Sequence, residues 1–264
     1  MRIIEFGKGY PKLSIIGGIH GDEPSGKQII RLLDTYLSTE DLNGSVKLIL
    51  ANEEALDENI RYIDVDMNRS FPGDEDSEIY EEQLAAEIFN EIRNSDAVLA
   101  LHATRSSPPP FVIYSSLTEN NKKSIRLMGI DYAVDCSDFS ENTLDSHFDD
   151  AITLECGEQH SESAIDFGFK ASKNFLRAHN VLTDEIPEEN IVRIVKAKKE
   201  IPKGNGEPKI YYRNFEKITK GTLFAEDDDY KHKINDADYV PILASVDGYE
   251  NIYGLLGKFT GELI

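Results

Sequence analysis

The sequence predicts an α/β protein with a mixed, largely parallel sheet covered by helices, followed by a small, mostly β domain. Three observations support this fold class. Apolar strand-like runs alternate with helical periodicity over the first two thirds of the chain, which favours parallel strands joined by helices. From about Thr183 the helical periodicity fades and short β-like runs appear. The composition, 264 residues of which 40% are hydrophobic, suits a large buried core. We therefore expect domains at residues 1–182 and 183–264.

The elements of the first part follow from hydrophobic period. Ile29, Leu32, Leu33 and Tyr36 recur on one helical face, and Pro24 suits the first helical position. The predicted helices cover residues 24–37, 76–93 and 163–178. The predicted strands are buried apolar runs, at residues 12–19, 46–51, 97–101, 111–115 and 151–155. In the C-terminal part the β-like runs lie between Gly, Pro and Asn, at residues 190–197, 209–215, 221–226, 239–245 and 254–259.

Charge and composition exclude several classes of function. The net charge of -21, from 49 acidic and 28 basic residues, disfavours nucleic acid and anionic membranes as partners. No apolar stretch approaches the roughly 20 residues of a membrane-spanning helix, and the N-terminus lacks the apolar core of a signal peptide. Two cysteines make no disulfide framework, and Cys156 is expected to be a packing residue. A cytoplasmic location is predicted.

Unusual polar residues follow the predicted strands. His20 and Glu23 lie just past the first strand, His102 ends another, and Glu155 stands at the tip of a third. Ligands collect at the carboxyl ends of strands in sheets of this type, and two histidines with one carboxylate form a common catalytic zinc set. Taken alone, His20 would be interpreted as a loop or capping histidine. His147, His160, His179 and His232 follow no apolar strand and are expected at the surface. His160, close to Glu155 in sequence, is the one serious rival for the third ligand position.

The long polar loop after the predicted strand at residues 46–51 carries Arg61, Asn68 and Arg69. Long ordered loops are usually functional, and a planar guanidinium suits a substrate carboxylate or a developing oxyanion. The competing interpretation is surface salt bridging with Asp64 and Asp66. The arginines are also what a strongly acidic protein would need in order to bind an anionic substrate.

Several segments together resemble the aspartoacylase/succinylglutamate desuccinylase family, relatives of the zinc carboxypeptidases. They are GGIHGDEPSG (17–26), AN-x-x-A followed by RYIDVDMNRSFPG (61–73), LH (101–102) and E-x-G (155–157). The resemblance covers roughly the first 160 residues and implies a zinc carboxypeptidase-like fold. It implies one zinc ion per chain, held by His20, Glu23 and His102.

The resemblance also implies roles for further residues. Glu155 would be the general base and acid, Arg61 would polarise the substrate carbonyl, and Asn68 and Arg69 would grip the substrate carboxylate. PILASVDGY (241–249) is similar to a family segment that lends a tyrosine to the pocket, so Tyr249 is a candidate, with Tyr239 and Tyr253 as alternatives. The stretch after His102 departs from true aspartoacylases, and its Arg105 is a candidate for contact with a different acyl group.

We therefore predict a zinc-dependent amidohydrolase, a deacylase that cleaves a small carboxylate-bearing amide such as an N-acyl amino acid by metal-activated water. A metallocarboxypeptidase acting on short peptides and a non-catalytic zinc-binding regulatory protein remain the alternatives. The acyl group, the amine, the physiological metal and homo-oligomerisation stay open at this point.

Overall fold

Ten strands form one mixed sheet in the computed structural model, which describes residues 1–106, 108–236 and 238–264. Their spatial order is β1-β3-β2-β4-β7-β5-β6-β8-β13-β12. A separate small sheet has the order β11-β10-β9. The strands are β1 (Arg2–Lys8), β2 (Lys12–Gly17), β3 (Gly44–Leu50), β4 (Ala97–Thr104), β5 (Phe111–Tyr114), β6 (Tyr132–Asp135), β7 (Ala151–Glu158), β8 (Val192–Pro202), β9 (Lys209–Ile210), β10 (Leu223–Glu226), β11 (Lys231–Lys233), β12 (Val240–Ile242) and β13 (Ile252–Leu263).

The pairing of the central strands is mostly parallel. β3, β2, β4 and β7 run parallel to one another, and so do β5, β6 and β8. The two groups meet in the antiparallel pair β5–β7, while β1, β13 and β12 are antiparallel to their neighbours. The predicted fold class is confirmed.

Helices cover both faces of the sheet. They are α1 (Pro24–Leu37), α2 (Glu53–Glu58), α3 (Tyr80–Ile92), α4 (Glu119–Leu127), α5 (Leu144–His147) and α6 (Glu162–Ala178). Successive side chains of a strand point to opposite faces, and β2 shows this: Ile15 packs in the core under α1 and α6, and Ile16 packs in the core under α3. Within the described ranges, no helix combines the length and apolar character that a bilayer crossing requires.

The start of α3 differs from its predicted position. The helix begins at Tyr80 rather than at Asp76. The intervening side chains form local turns instead: Asp74 accepts a hydrogen bond from the Asp76 amide (3.0 Å) and Ser77 accepts one from the Ile79 amide (3.1 Å). Such side-chain-to-backbone bonds compete with the first turn of a helix.

Several elements had no counterpart in the sequence-based prediction. They are β1, β6, β11, α2, α4 and α5. The loop that carries Arg61 includes α2 and a 3₁₀ turn at Met67–Arg69. The start of α4 does carry a local signal, since the Thr118 hydroxyl accepts a hydrogen bond from the Asn121 amide (3.1 Å). α4 lacks a strong apolar stripe, however, because its sequence ENNKKSIRL is mostly polar.

The C-terminal part is β-rich, as predicted, and it is divided between the two sheets. β8 pairs in parallel with β6, so the main sheet continues past residue 182, and β13 and β12 extend it further. Of the predicted run 209–215 only β9 is a strand, because the Arg213 amide turns back to Glu216 and Phe215 has a φ of 63°. The domain boundary at residues 182–183 stays a prediction.

Candidate metal centre

The turn between β2 and α1 carries His20 and Glu23. Gly18 has a φ of +73°, which favours glycine because it has no Cβ. A Cβ on Gly21 would lie 2.1 Å from the carbonyl carbon of Ala55, so only glycine permits this close approach. The Gly21 amide donates to the Arg61 carbonyl (3.1 Å). This bond connects the turn to the arginine loop, residues 59–79 between α2 and α3.

The three predicted metal ligands come together at the carboxyl ends of β2 and β4. His20 Nδ1 lies 2.7 Å from Glu23 Oε1, and His102 Nδ1 lies 3.1 Å from Glu23 Oε2. The Ala103 amide donates to the same Oε2 atom (3.0 Å) and orients the carboxylate. Glu23 occupies the N-cap position of α1, yet its side chain makes no capping bond. All three side chains are buried, and one ligand atom from each lies within 4.8 Å of the others.

Glu155 stands beside this cluster because of strand register. In the parallel pair β4–β7, residue 155 is the register partner of His102. Glu155 is 7% exposed, and its Oε2 atom is buried without a hydrogen-bond partner among the described residues. Burial and the nearby Glu23 carboxylate raise the pKa of Glu155 to about 8, against the opposing effects of His20 and Arg61. A carboxyl group with a raised pKa and a free oxygen suits general acid–base chemistry near neutral pH.

The charges of the cluster stabilise one another. Burial alone would lower the pKa of His20, but the Glu23 carboxylate and the hydrogen bonds to Glu23 and Asp66 raise it to about 9. Burial alone would raise the pKa of Glu23, but the two histidines hold it well below its usual value. Glu23 is therefore ionised, the form in which a carboxylate binds a metal.

Asp66 connects the cluster to the arginine loop. Its Oδ1 atom lies 3.0 Å from His20 Nε2, and its Oδ2 atom accepts bonds from Arg61 Nε (3.2 Å) and Nη2 (3.1 Å). Arg61 Nη1 also lies 3.4 Å from Glu23 Oε1. A carboxylate on the far nitrogen of a ligand histidine fixes the ring and its tautomer. Arg61 retains N–H donors beyond these three bonds, since a guanidinium has five.

Glu81, in α3, anchors the arginine loop from below. It is fully buried, and its Oε1 atom accepts from the Ile63 amide (2.6 Å) and from Asn52 Nδ2 (3.0 Å). Its Oε2 atom accepts from the amides of Asp64 (2.9 Å) and Val65 (3.2 Å). Four bonds to one carboxylate hold the backbone immediately before Asp66.

The four predicted substrate-binding residues line the same pocket but differ in their surroundings. Asn68 contacts the Leu144 amide at 3.5 Å, and the exposed Arg69 donates to the Asn68 carbonyl at 2.7 Å. Burial and the nearby Glu155 raise the pKa of the Tyr249 hydroxyl, so it is protonated at neutral pH. Arg105 is half exposed and pairs with Asp22 at 2.9 Å.

The alternatives to these residues lie elsewhere. Neither Tyr239 nor Tyr253 is among the described pocket-lining residues. Tyr239 donates to Asp236 (2.9 Å), and the Tyr253 hydroxyl is bound to Glu226 and Asp227 in the small C-terminal part. His160 is exposed in a turn after β7, outside the ligand group.

Two further residues test the expectations about packing. His179 was expected at the surface and is instead buried, with its Nε2 atom 2.9 Å from Ser124 Oγ. This expectation was wrong because a polar helix end gives no sign that a neighbouring helix, α4, covers it. Cys156 is buried in the core between the sheet and α6, in agreement with a packing role.

The donor set fits a metal ion. Two imidazoles and one ionised carboxylate match the ligands and number of a catalytic zinc site with an open position. Asp66 supplies the outer carboxylate that such histidines usually contact. The described residues thus provide what a divalent metal needs, although the same donors also suit cobalt or manganese.

Sequence reasoning missed Asp66, Glu81 and Asp145. Asp66 was interpreted only as a partner for surface salt bridges, because one acidic residue in a polar loop resembles another. Glu81 is the first acidic residue of a helix, where acidic residues are common. Asp145 lines the pocket from α5, an element too short to be predicted from periodicity.

This chain is similar to known proteins of one family. The family model described as "Succinylglutamate desuccinylase/Aspartoacylase catalytic domain" matches residues 10–186. A "Probable aspartoacylase" of Prochlorococcus marinus is 33% identical over 101 residues, 36% of this chain and 34% of that protein. The "N-alpha-acetyl-L-2,4-diaminobutyric acid deacetylase" of Halomonas elongata is 35% identical over 109 residues, 39% of this chain and 31% of that protein. The aligned stretches thus span about a third of each of these two curated relatives.

The similarity to solved structures extends over nearly the whole chain. The product-bound structure of the ectoine utilization protein EutE (DoeB) from Ruegeria pomeroyi matches with a TM-score of 0.80 at 18% identity. The match covers 97% of this chain and 87% of that chain. At this identity the likeness shows a common fold.

Proposed function

The chain belongs to the succinylglutamate desuccinylase/aspartoacylase family, and we propose that it is a zinc-dependent amidohydrolase that deacylates an N-acyl amino acid or a related carboxylate-bearing amide. One observation carries this proposal. The buried donors of His20, Glu23 and His102 lie next to Glu155, a buried carboxyl group with an unpartnered oxygen among the described residues. Metal binding requires the three ligands but does not require Glu155, so the presence of Glu155 favours catalysis over metal binding alone.

The proposed reaction divides its tasks among the pocket residues. A zinc ion bound by the three ligands would supply a Lewis acid that activates water and polarises the amide carbonyl. Glu155 takes a proton from the attacking water and returns it to the nitrogen of the leaving amine. Arg61 directs its remaining N–H donors at the oxygen that becomes negative in the transition state, an effect often worth several kcal/mol.

The substrate is held by the residues around this centre. The Arg69 side chain donates to the Asn68 carbonyl, and its guanidinium has further donors for a substrate carboxylate. Asn68 lies beside it, and the protonated Tyr249 hydroxyl can donate a further hydrogen bond. Tyr249 and its neighbours Leu243 and Leu255 come from the C-terminal part and form one wall of the pocket. This wall favours a small substrate over a long peptide.

The relatives support a deacylase but leave its substrate open. One is named for aspartate and one for a diaminobutyric acid, two amino acids whose side chains have opposite charges. We therefore propose N-acyl amino acids as the substrate class on the basis of the family. Which amino-acid side chain the substrate carries depends on the residues that line the pocket.

A hydrolysis screen on protein of measured metal content tests the proposal. Zinc-loaded protein is incubated with N-acetyl and N-succinyl amino acids and, beside them, with dipeptides, and amine release is followed. We expect release from N-acyl amino acids and its loss after chelation, with recovery on adding zinc. Preferential cleavage of dipeptides would indicate a carboxypeptidase instead, and bound zinc without any hydrolysis would indicate a binding protein.

Glu155→Gln separates metal binding from catalysis. Glutamine cannot accept the proton of water, so turnover should fall by about a hundredfold or more while the zinc content stays at the wild-type level. Glu200→Gln is the matched control, since it removes the same charge from an exposed residue of the same pocket. Near-normal turnover of Glu155→Gln would show that the assigned base is wrong.

A further inference from the structure

Asp145 is a buried acid in the wall of the pocket that the proposed reaction does not use. It is 4% exposed, and its Oδ2 atom accepts a hydrogen bond from Ser115 Oγ at 2.5 Å. Among the described residues no cation forms an ion pair with it. Burial raises the pKa of Asp145 above its usual value, although hydrogen bonds from Ser115 and Thr143 and the more distant His102 partly offset this. A buried carboxylate without a counter-charge costs free energy unless a ligand supplies the charge.

Two arginines of the pocket, Arg61 and Arg105, already have acidic partners. The guanidinium of Arg61 is bound to Asp66 and Glu23, and that of Arg105 is bound to Asp22. Among the described pocket arginines this leaves Arg69, whose side chain donates to a backbone carbonyl. Arg69 can bind one substrate carboxylate. A substrate with a second carboxylate would meet Asp145 with no spare guanidinium to neutralise it.

Asp145 lies in the same pocket as Asn68 and Arg69, the residues proposed to bind the substrate carboxylate. Its neighbour in sequence, Leu144, contacts Asn68 through its backbone amide at 3.5 Å. The thiol of Cys136 lies in the electrostatic field of both Asp145 and Arg69. Ser140 and Thr143, two small neutral residues from the same stretch of chain, also line the pocket. If Asn68 and Arg69 bind the carboxylate of an amino acid, the side chain of that amino acid can therefore contact Asp145.

We propose that Asp145 is a specificity-determining residue that selects N-acyl amino acids whose side chain ends in an ammonium group. This inference rests on the proposed function and narrows its substrate class. The side-chain ammonium would pair with the carboxylate and donate hydrogen bonds to it, which is the arrangement that makes a buried charge favourable. The same carboxylate disfavours acidic side chains by repulsion.

A matched substrate series tests the inference. The zinc-loaded protein is assayed with N-acetyl-L-2,4-diaminobutyrate, N-acetyl-L-norvaline and N-acetyl-L-aspartate, which have side chains of similar size but are cationic, neutral and anionic. We expect kcat/KM for the cationic substrate to exceed that for the neutral one by about tenfold to a hundredfold, the effect of one hydrogen-bonded charge. Cleavage of the aspartate or norvaline derivative at an equal or higher kcat/KM would overturn the inference without touching the proposed function.

Two variants test whether Asp145 causes the preference for a cationic side chain. Asp145→Asn retains an acceptor for Ser115 but loses the charge, so it should raise KM for the cationic substrate by about tenfold or more and leave the neutral substrate within about threefold. Asp149→Asn, which removes the same charge at an exposed position outside the pocket lining, should keep the wild-type preference. An unchanged preference in a folded Asp145→Asn protein would overturn the inference.

A binding measurement separates failure of the inference from failure of the proposed function. Calorimetry with the free amino acids on zinc-loaded wild-type protein reports the same charge selectivity without catalysis. If no substrate is hydrolysed, the proposed function fails. Binding of 2,4-diaminobutyrate at least about tenfold tighter than norvaline and aspartate would then still support the selectivity of Asp145, and equal binding would overturn it.

Discussion

Asp66 holds two groups of the candidate metal centre at once. Its carboxylate contacts the far nitrogen of His20 and accepts two bonds from Arg61. These contacts hold the pKa of Asp66 well below its usual range, since the His20 bond and the Arg61 charge outweigh the effect of burial. Asp66 is therefore ionised, and it orients His20 and Arg61 relative to each other.

Asp66→Asn should weaken zinc binding. Loss of the outer carboxylate of a ligand histidine typically lowers metal affinity about tenfold to a hundredfold. Competition with a fluorescent zinc chelator measures this. Asp64→Asn is the control, because Asp64 lies in the same loop but bonds the Tyr80 amide instead of a metal ligand. Equal zinc affinity in both variants would show that Asp66 has no role at the metal.

His179 gives a second prediction, on stability against pH. Burial, together with Lys123, lowers the pKa of His179 to about 4, from 6.5 in the unfolded chain. The unfolded state therefore binds more protons between these values, so the free energy of unfolding should fall as the pH drops from 6.5 towards 4. The shift corresponds to about 3 kcal/mol.

Urea unfolding of wild type and His179→Gln across this range measures the effect. The glutamine variant should lose part of the decline, because no imidazole remains to be protonated. His147→Gln, at an exposed position in α5, should retain it. Parallel pH profiles for wild type and His179→Gln would contradict the assignment.

At the scale of elements, the arginine loop depends on α3. The loop between α2 and α3 has few core residues near Arg61, and its backbone is held by the Glu81 carboxylate. The helix thus does two things: its apolar face covers the sheet, and its first turn positions the loop. Neither role is visible in the loop sequence itself.

Glu81→Gln should loosen this loop. The amide group of glutamine has one oxygen, so two of the four donors would lose their acceptor or face an N–H group. We expect a loss of about 3 kcal/mol in the free energy of unfolding and a lower kcat/KM. Chemical denaturation and steady-state kinetics measure these. The neighbouring Glu82→Gln, which loses a bond to Ser77 only, should show much smaller effects; equal effects would refute the anchoring role.

At the scale of the whole molecule, the main sheet joins the predicted N- and C-terminal parts. β8 pairs with β6, and one core cluster contains Phe111 and Val134 from the first part with Val195 and Ile242 from the second. Tyr249 extends this connection to the pocket. The C-terminal part therefore contributes both to the core and to the candidate site.

A chain shortened to residues 1–186 should not fold independently. It would expose the apolar face that Val195, Ala197 and Ile242 cover, and large exposed apolar patches lead to aggregation. Size-exclusion chromatography and thermal unfolding, with the full chain as the control, test this. A soluble, monomeric fragment with cooperative unfolding would contradict the prediction and would favour an independent first domain.

The sequence alone determined the central elements and the grouping of His20, Glu23 and His102. Hydrophobic period depends on neighbouring residues, so α1 was predicted at its observed bounds and the core strands within a few residues. His20, Glu23 and His102 were recognisable because each follows an apolar run, and strand ends meet at one edge of a sheet. The partners of these residues were not recognisable in this way.

Only the tertiary structure decided what surrounds the ligands. Asp66, Glu81 and Asp145 contact residues that are far away in sequence. No local pattern distinguishes these three acids from the other acidic residues of a strongly negative chain. The pairing of β8 with β6 is equally non-local. Local periodicity predicts which face of an element is buried, whereas the element that covers this face depends on long-range packing. The same long-range packing brings the acidic side chains next to the pocket.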